Sequence, residues 1–121
     1  MDKFRFVNWK VYQESQELFT FILKLVKKIP KEYRFELGSQ VIRSSFSIIL
    51  NIAEGSGKSS DKELNRFFEI ALGSVYETMA ATDTLLHNKF ITQDEFANVV
   101  QKADSISKQI GGFKKKLDSK V

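Results

Sequence analysis

The chain of 121 residues has no cysteine, one proline and one histidine. Without cysteine there is no disulfide framework, no thiolate metal site and no thiol nucleophile. A lone histidine, His87, cannot supply a two-metal bundle centre, in which two Glu-x-x-His motifs each contribute an imidazole. Three places before it stands Thr84, and Glu54, Glu69 and Glu77 have no histidine at that spacing. No apolar run reaches the ~20 residues of a membrane span. The opening Met1-Asp2-Lys3-Phe4-Arg5-Phe6 lacks the apolar core and small-residue cleavage site of a signal peptide. No segment alternates with the two-residue period of a strand. Serines are plentiful, but no base is placed to activate one. We therefore expect a cytoplasmic, non-enzymatic, all-α protein with no metal, no cofactor and no membrane contact.

What is present is helical periodicity in one domain spanning residues 1–121. A first helix, 8–29, would start at Asn8 as N-cap, with Val7 and Tyr12 as hydrophobic staple. It carries Phe19, Ile22, Val26 and Ile29 and ends at Pro30. A second, 38–55, would begin at Gly38-Ser39, carry Val41, Ile48 and Ile52, and stop at Gly55 and Gly57. Ser60-Asp61-Lys62-Glu63 reads as a capping box for a third helix, 61–87, with Leu64, Phe68, Ala71, Val75 and Leu86 on one face. Thr92-Gln93-Asp94-Glu95 is a second box, stapled by Ile91 and Phe96. It opens a fourth helix, 93–117, with Phe96, Val99, Ala103, Ile106, Ile110, Phe113 and Leu117 in three–four alternation across Gly111-Gly112. Short connections imply antiparallel neighbours, hence an up-down-up-down four-helix bundle.

Several residues fit a helix poorly. Asn51 interrupts an apolar run, Glu54 sits in a last turn whose free carbonyls repel negative charge, and Gly73 costs about 1 kcal/mol against alanine. Such misfits usually have a tertiary or functional cause. Arg43, Ser47, Asn51 and Glu54 recur at steps of four, four and three, on one helical face. Folding the second helix back on the third brings Arg43 opposite the stretch Gly73 to Glu77. Arg43 and Glu77 are then natural partners, with Ser47, Asn51, Glu54 and Ser74 completing a polar network that sets helix register. The rival reading of the same residues is a ligand pocket or a nucleic-acid contact.

The stretches Gln40-Val41-Ile42-Arg43-Ser44-Ser45-Phe46-Ser47 through Asn51-Ile52-Ala53-Glu54-Gly55, with Phe67, Ala71-Leu72-Gly73-Ser74 and Glu77, resemble one family over nearly the whole chain. These are small bacterial four-helix-bundle proteins first described as products of intervening sequences inside 23S ribosomal RNA genes. Trp9 and the Pro30-Lys31-Glu32 turn fit as well, and the chain departs from the pattern at Ile49, where a proline is common. The resemblance implies a ring-like homopentamer, and a ribosomal-protein label that rests on gene location. It also implies kinship with accessory factors of diversity-generating retroelements, which bind nucleic acid and a reverse transcriptase through a basic pentamer.

The formal net charge of +4 favours anionic partners. In the expected topology the chain start, the turn between helices two and three and the end of helix four share one pole. That pole would collect Lys3, Arg5, Lys10, Lys58, Lys62, Arg66, Lys114, Lys115, Lys116 and Lys120 as candidate nucleic-acid contacts. Lys24, Lys27, Lys28, Lys31 and Arg34 decorate the other end. Lysine runs are more often solvated surface than sites, but repetition around a ring would multiply the field. Gly55-Ser56-Gly57-Lys58-Ser59 invites comparison with a phosphate-binding loop. That motif needs a glycine where this chain has Ile52, and a strand before it; a flexible turn is the better reading. Eleven phenylalanines exceed what a slim bundle absorbs. Val11, Leu18, Phe21 and Leu25 flank the core stripe of helix one and would form an exposed patch that marks an interface between copies. The leading expectation is an oligomeric, RNA-associated nucleic-acid-binding accessory protein; the alternative is a scaffold that binds a protein partner and no nucleic acid.

Overall fold

The computed structural model describes residues 3–118. A 3₁₀ turn, Arg5–Asn8, leads into four helices: α1 Lys10–Val26, α2 Lys31–Ser56, α3 Asp61–His87 and α4 Gln93–Asp118. There is no strand among the described residues. The cross-helix contacts run in opposite senses. Ser44 meets Thr78 and Ser47 meets Ser74 between α2 and α3. Glu14 meets Ser105 and Lys28 meets Glu95 between α1 and α4. Phe19 meets Phe46 between α1 and α2. Position rises along one partner as it falls along the other, so these neighbours are antiparallel.

The entry to α1 differs from the sequence expectation. Asn8 closes the 3₁₀ turn and is exposed; the N-cap is Trp9, with no side-chain cap. Tertiary packing sets this point, because the Trp9 ring lies 5.4 Å from Phe113 and 6.3 Å from Phe68. Val7 stays exposed, and Phe6 takes the staple's place with its ring 4.9 Å from Tyr12. The buried stripe of α1 is Val11, Ser15, Leu18, Ile22 and Leu25–Val26. Val11, Leu18 and Leu25 are thus core and no exposed interface patch, and Phe21 is half-buried. Phe19, expected in the core, sits one step aside against Phe46 at 5.5 Å.

The second helix starts at Lys31, straight after Pro30, rather than near Gly38. Gly38 is a point of close approach: a Cβ there would lie 2.9 Å from Val26 Cγ1. Arg34 stabilises the reversal by donating from Nε and Nη2 to Ile29 O (3.1 and 3.0 Å) and from Nη2 to Lys27 O (3.2 Å). Those carbonyls lack helical partners at the end of α1, where a guanidinium also meets the negative dipole end. With Ile49 buried in its middle, α2 continues unbroken to Ser56.

The α2–α3 pair is the most extensively packed. Small residues let the backbones approach, and an added Cβ at Gly55 would stand 2.8 Å from Phe67 Cβ. The core joins Leu18, Ile22, Ile48, Ile52, Phe68, Val75, Leu85, Val99, Ile106 and Ile110. At the start of α4, Thr92 and Glu95 form a reciprocal box: Thr92 N donates to Glu95 Oε1 (2.8 Å) and Glu95 N donates to Thr92 Oγ1 (3.1 Å). At α3 only half of the box forms. Glu63 N donates to Ser60 Oγ (3.2 Å), while the Glu63 carboxylate turns to Arg66.

Candidate nucleic-acid interface

One pole of the bundle gathers three separate pieces of chain. Lys3, Phe4 and Phe6 line a shallow groove with Leu50, Ala53, Glu54, Ser56 and Gly57, so the N-terminal segment lies against the end of α2. Asn65 Nδ2 donates to Asp118 Oδ1 (3.1 Å), joining the start of α3 to the last turn of α4. Trp9, Phe68 and Phe113 pack into one aromatic cluster at this corner.

The cations of the pole divide into two groups. Lys10 pairs with Glu14 (3.6 Å), Lys58 with Glu54 (3.9 Å) and Arg66 with Glu63 (3.2 Å). The Arg66 hydrogen bond holds the Glu63 carboxyl below the usual carboxylate range and raises the guanidinium in return. Lys58 and Arg66 also stand over the Phe67 ring, at 5.1 and 4.7 Å. Lys114 is held by Glu69 and Asn65. In the second group, Lys3, Lys62, Lys115 and Lys116 are exposed, and Arg5 lies over the Trp9 ring at 5.5 Å. Among the described residues no carboxylate comes within ion-pair distance of Lys3, Arg5, Lys62 or Lys115. Lys120 lies outside the described residues. At the far end Lys28 is bound to Glu95 and Arg34 to backbone carbonyls, which leaves Lys24, Lys27 and Lys31 exposed.

The polar seam between α2 and α3 is made of hydroxyls rather than charges. Ser47 Oγ and Ser74 Oγ are 2.9 Å apart, and Asn51 Nδ2 donates to Ser47 Oγ (3.0 Å) and Ser47 O (2.8 Å). Arg43 and Glu77 form no such pair: both are exposed, and among the described residues neither enters an ion pair. Glu54 turns outward to Lys58. The contact that the sequence reading missed is fully buried: Thr78 Oγ1 donates to Ser44 Oγ at 2.9 Å. Its signal was a hydroxyl every fourth residue, at Ser74, Thr78 and Thr82. Each donates to a carbonyl one turn back, at 2.8–3.2 Å. No buried side-chain polar atom among the described residues lacks a partner, so the desolvation cost of the seam is offset by its hydrogen bonds.

The remaining candidates fall into ordinary places. Gly55 is the close-packed end of α2, Gly57 its C-cap, and a helix rather than a strand precedes Lys58. His87 is exposed, 3.6 Å from Asp83. Among the described residues no three metal-ligating side chains converge, and no helix is long and apolar enough to cross a membrane. Large apolar side chains are exposed singly at Phe4, Val7, Tyr33, Phe35 and Ile70, and in two groups. Leu23, Phe46 and Leu50 lie on the α1–α2 side, where Phe19 meets Phe46; Tyr76 and Val100 rim a groove between α3 and α4, floored by Val75, Met79 and Ala103.

Residues 7–112 match the profile of the 23S rRNA-intervening sequence proteins. Among solved structures, the chain is similar to a protein of unknown function from the S23 ribosomal protein family of Bacteroides thetaiotaomicron. The two are 25% identical, with a TM-score of 0.80 over 87% of this chain and 98% of that one. No curated protein matches. Neither similarity carries an enzymatic description.

Proposed function

This chain belongs to the family of 23S rRNA-intervening sequence proteins, and from that premise we propose that it is a non-enzymatic, cytoplasmic, oligomeric accessory protein that binds nucleic acid, RNA foremost, through its basic pole. The observation that carries this reading is the set of cations that meet no carboxylate among the described residues where the N-terminal segment, the α2–α3 turn and the end of α4 meet: Lys3, Arg5, Lys62 and Lys115. Lysines without counter-charges gain counterion-release free energy on phosphate, whereas paired ones must first give up a partner. An electrophoretic assay with ribosomal RNA fragments and mixed DNA at low salt tests it. Retardation of both is expected, and no retardation of any would refute it.

The two apolar patches support self-association. They lie on opposite sides of the bundle and differ from one another, which favours a heterologous head-to-tail contact that closes into a ring. Five copies is the number that the family resemblance implies. Light scattering at micromolar concentration is expected to give a multiple of 13.9 kDa; a monomer mass would refute assembly. The same patches favour the second reading, a scaffold that docks a protein partner, such as a reverse transcriptase encoded beside it, without touching nucleic acid. Assembly together with no retardation would decide for it.

A further inference from the structure

Two consecutive glycines in the interior of α4 weaken a helix. Packing does not require them, since a Cβ at Gly111 or Gly112 would meet nothing within 4 Å. At Gly112 the missing side chain opens onto a groove of about 530 Å³ along α4, lined by Gln109, Gly112, Phe113, Lys115 and Lys116. Phe113 is one wall and is held rigidly, stacked 5.0 Å from Phe68 and 5.4 Å from Trp9. At one end the Gln109 side chain is fixed by donating to Glu14 Oε1 (2.9 Å) and Ser105 Oγ (3.2 Å). At the other end Lys115 and Lys116 stand exposed.

We propose that this groove accepts unpaired nucleobases, so that the protein prefers single-stranded or looped nucleic acid to duplex. The inference rests on nucleic-acid binding at the basic pole and adds the class of strand. Its basis is a match of chemistry: a flat apolar base carries an anionic linkage, and the groove places an aromatic wall beside two ammonium groups. A duplex hides its base faces in its own stack, so only its phosphates could reach this pole. Stacking on an aromatic side chain tolerates any base, which agrees with an interface that has no base-reading element.

Trp9 is the only tryptophan, and its ring lies 5.4 Å from Phe113, so its fluorescence reports on the cluster that holds the groove wall. The experiment titrates the full chain at low salt with a short thymidine strand, an abasic strand of equal length and a duplex. The thymidine strand is expected to bind roughly tenfold more tightly than the abasic strand and to quench Trp9. Gly112→Leu would fill the groove from open space, and it is expected to abolish that preference, so that thymidine and abasic strands bind it equally. Equal binding of thymidine and abasic strands to the unaltered protein would overturn the proposal without recourse to any variant. So would a Gly112→Leu protein that kept the preference, or one whose mass by light scattering fell, which would give the groove to contact between copies. If neither strand bound, binding at the basic pole itself would be refuted.

Discussion

Lys114 Nζ lies 2.7 Å from Glu69 Oε1 and 3.3 Å from Asn65 Oδ1, which ties the end of α4 to the first turns of α3. Its side chain is only 19% exposed, and its hydrogen bond holds the Glu69 carboxyl below the usual carboxylate range. Lys114 therefore braces the fold, although it stands in a row with two exposed lysines. Lys114→Ala is expected to lower the melting temperature and to loosen the last turns of α4. Lys115→Ala is expected to leave the melting temperature unchanged. Thermal circular dichroism checks both, and equal melting shifts for the two proteins would contradict the brace.

The buried Ser44–Thr78 contact should matter more to stability than the exposed charges of Arg43 and Glu77 on the same helices. Thr78→Val keeps the shape but removes a donor to Ser44 Oγ and to Ser74 O. A loss of about 1–2 kcal/mol is expected in urea unfolding. Arg43→Ala and Glu77→Ala alter exposed side chains and should each stay within about 0.5 kcal/mol. A large loss at Arg43 with none at Thr78 would reverse this assignment.

Local signals were legible in the chain; tertiary ones were not. Ser60 and Thr92 cap helices through backbone groups three residues away, so sequence spacing suffices to find them. Gly38 was different. A glycine followed by serine looks like a helix start, and only the proximity of Val26 explains it as a contact inside α2. Along α1, Val11–Leu18–Leu25 and Phe19–Ile22–Val26 are both apolar at helical spacing. Periodicity alone could not say which faces α2 and α4; packing buried all of the first set together with Ile22 and Val26 and left Phe19 aside. Charge pattern placed the basic pole, yet it could not separate braced Lys114 from exposed Lys115, because that difference depends on Glu69, 45 positions away.

Two glycines should respond in opposite directions to the same change. Gly55→Ala drives a Cβ to 2.8 Å from Phe67 Cβ and 3.2 Å from Leu64 Cδ1. The Leu64 methyl can shift, but Phe67 Cβ is fixed to the α3 backbone and can move only with it, so about 1–3 kcal/mol of destabilisation is expected. Gly73→Ala meets nothing within 4 Å and should stabilise α3 by about 0.5–1 kcal/mol. Chemical denaturation of the two variants provides the check, and a shift of the same sign in both would refute the packing argument.

The bridge between the helix reversals has a defined pH response. Glu95 accepts from Lys28 and from Thr92 N, and these hydrogen bonds, that of Lys28 foremost, lower its pKa from the ordinary 4.5. A depressed carboxylate stabilises the fold above its unfolded pKa and loses that contribution as pH falls through the lower folded value. Stability is therefore expected to decline below about pH 4.5, and Glu95→Gln should flatten that limb while being less stable at pH 7. An unchanged acid limb in the variant would show that Glu95 is not its source.

Binding at the basic pole should be electrostatic. Lysine predominates among its cations, and an ammonium acts on phosphate as a point charge rather than as a bidentate reader of base edges. If about six phosphates are neutralised, affinity for duplex should fall roughly 10³-fold between 50 and 200 mM salt. Lys62→Ala with Lys115→Ala removes two cations that have no carboxylate partner among the described residues, and is expected to weaken binding to all sequences alike and to flatten the slope by about two. Lys58→Ala should change the slope little, because its ammonium is already committed to Glu54 and the Phe67 ring. Slopes measured by fluorescence anisotropy would refute the division of the pole if Lys58→Ala flattened them as much as the Lys62 and Lys115 pair.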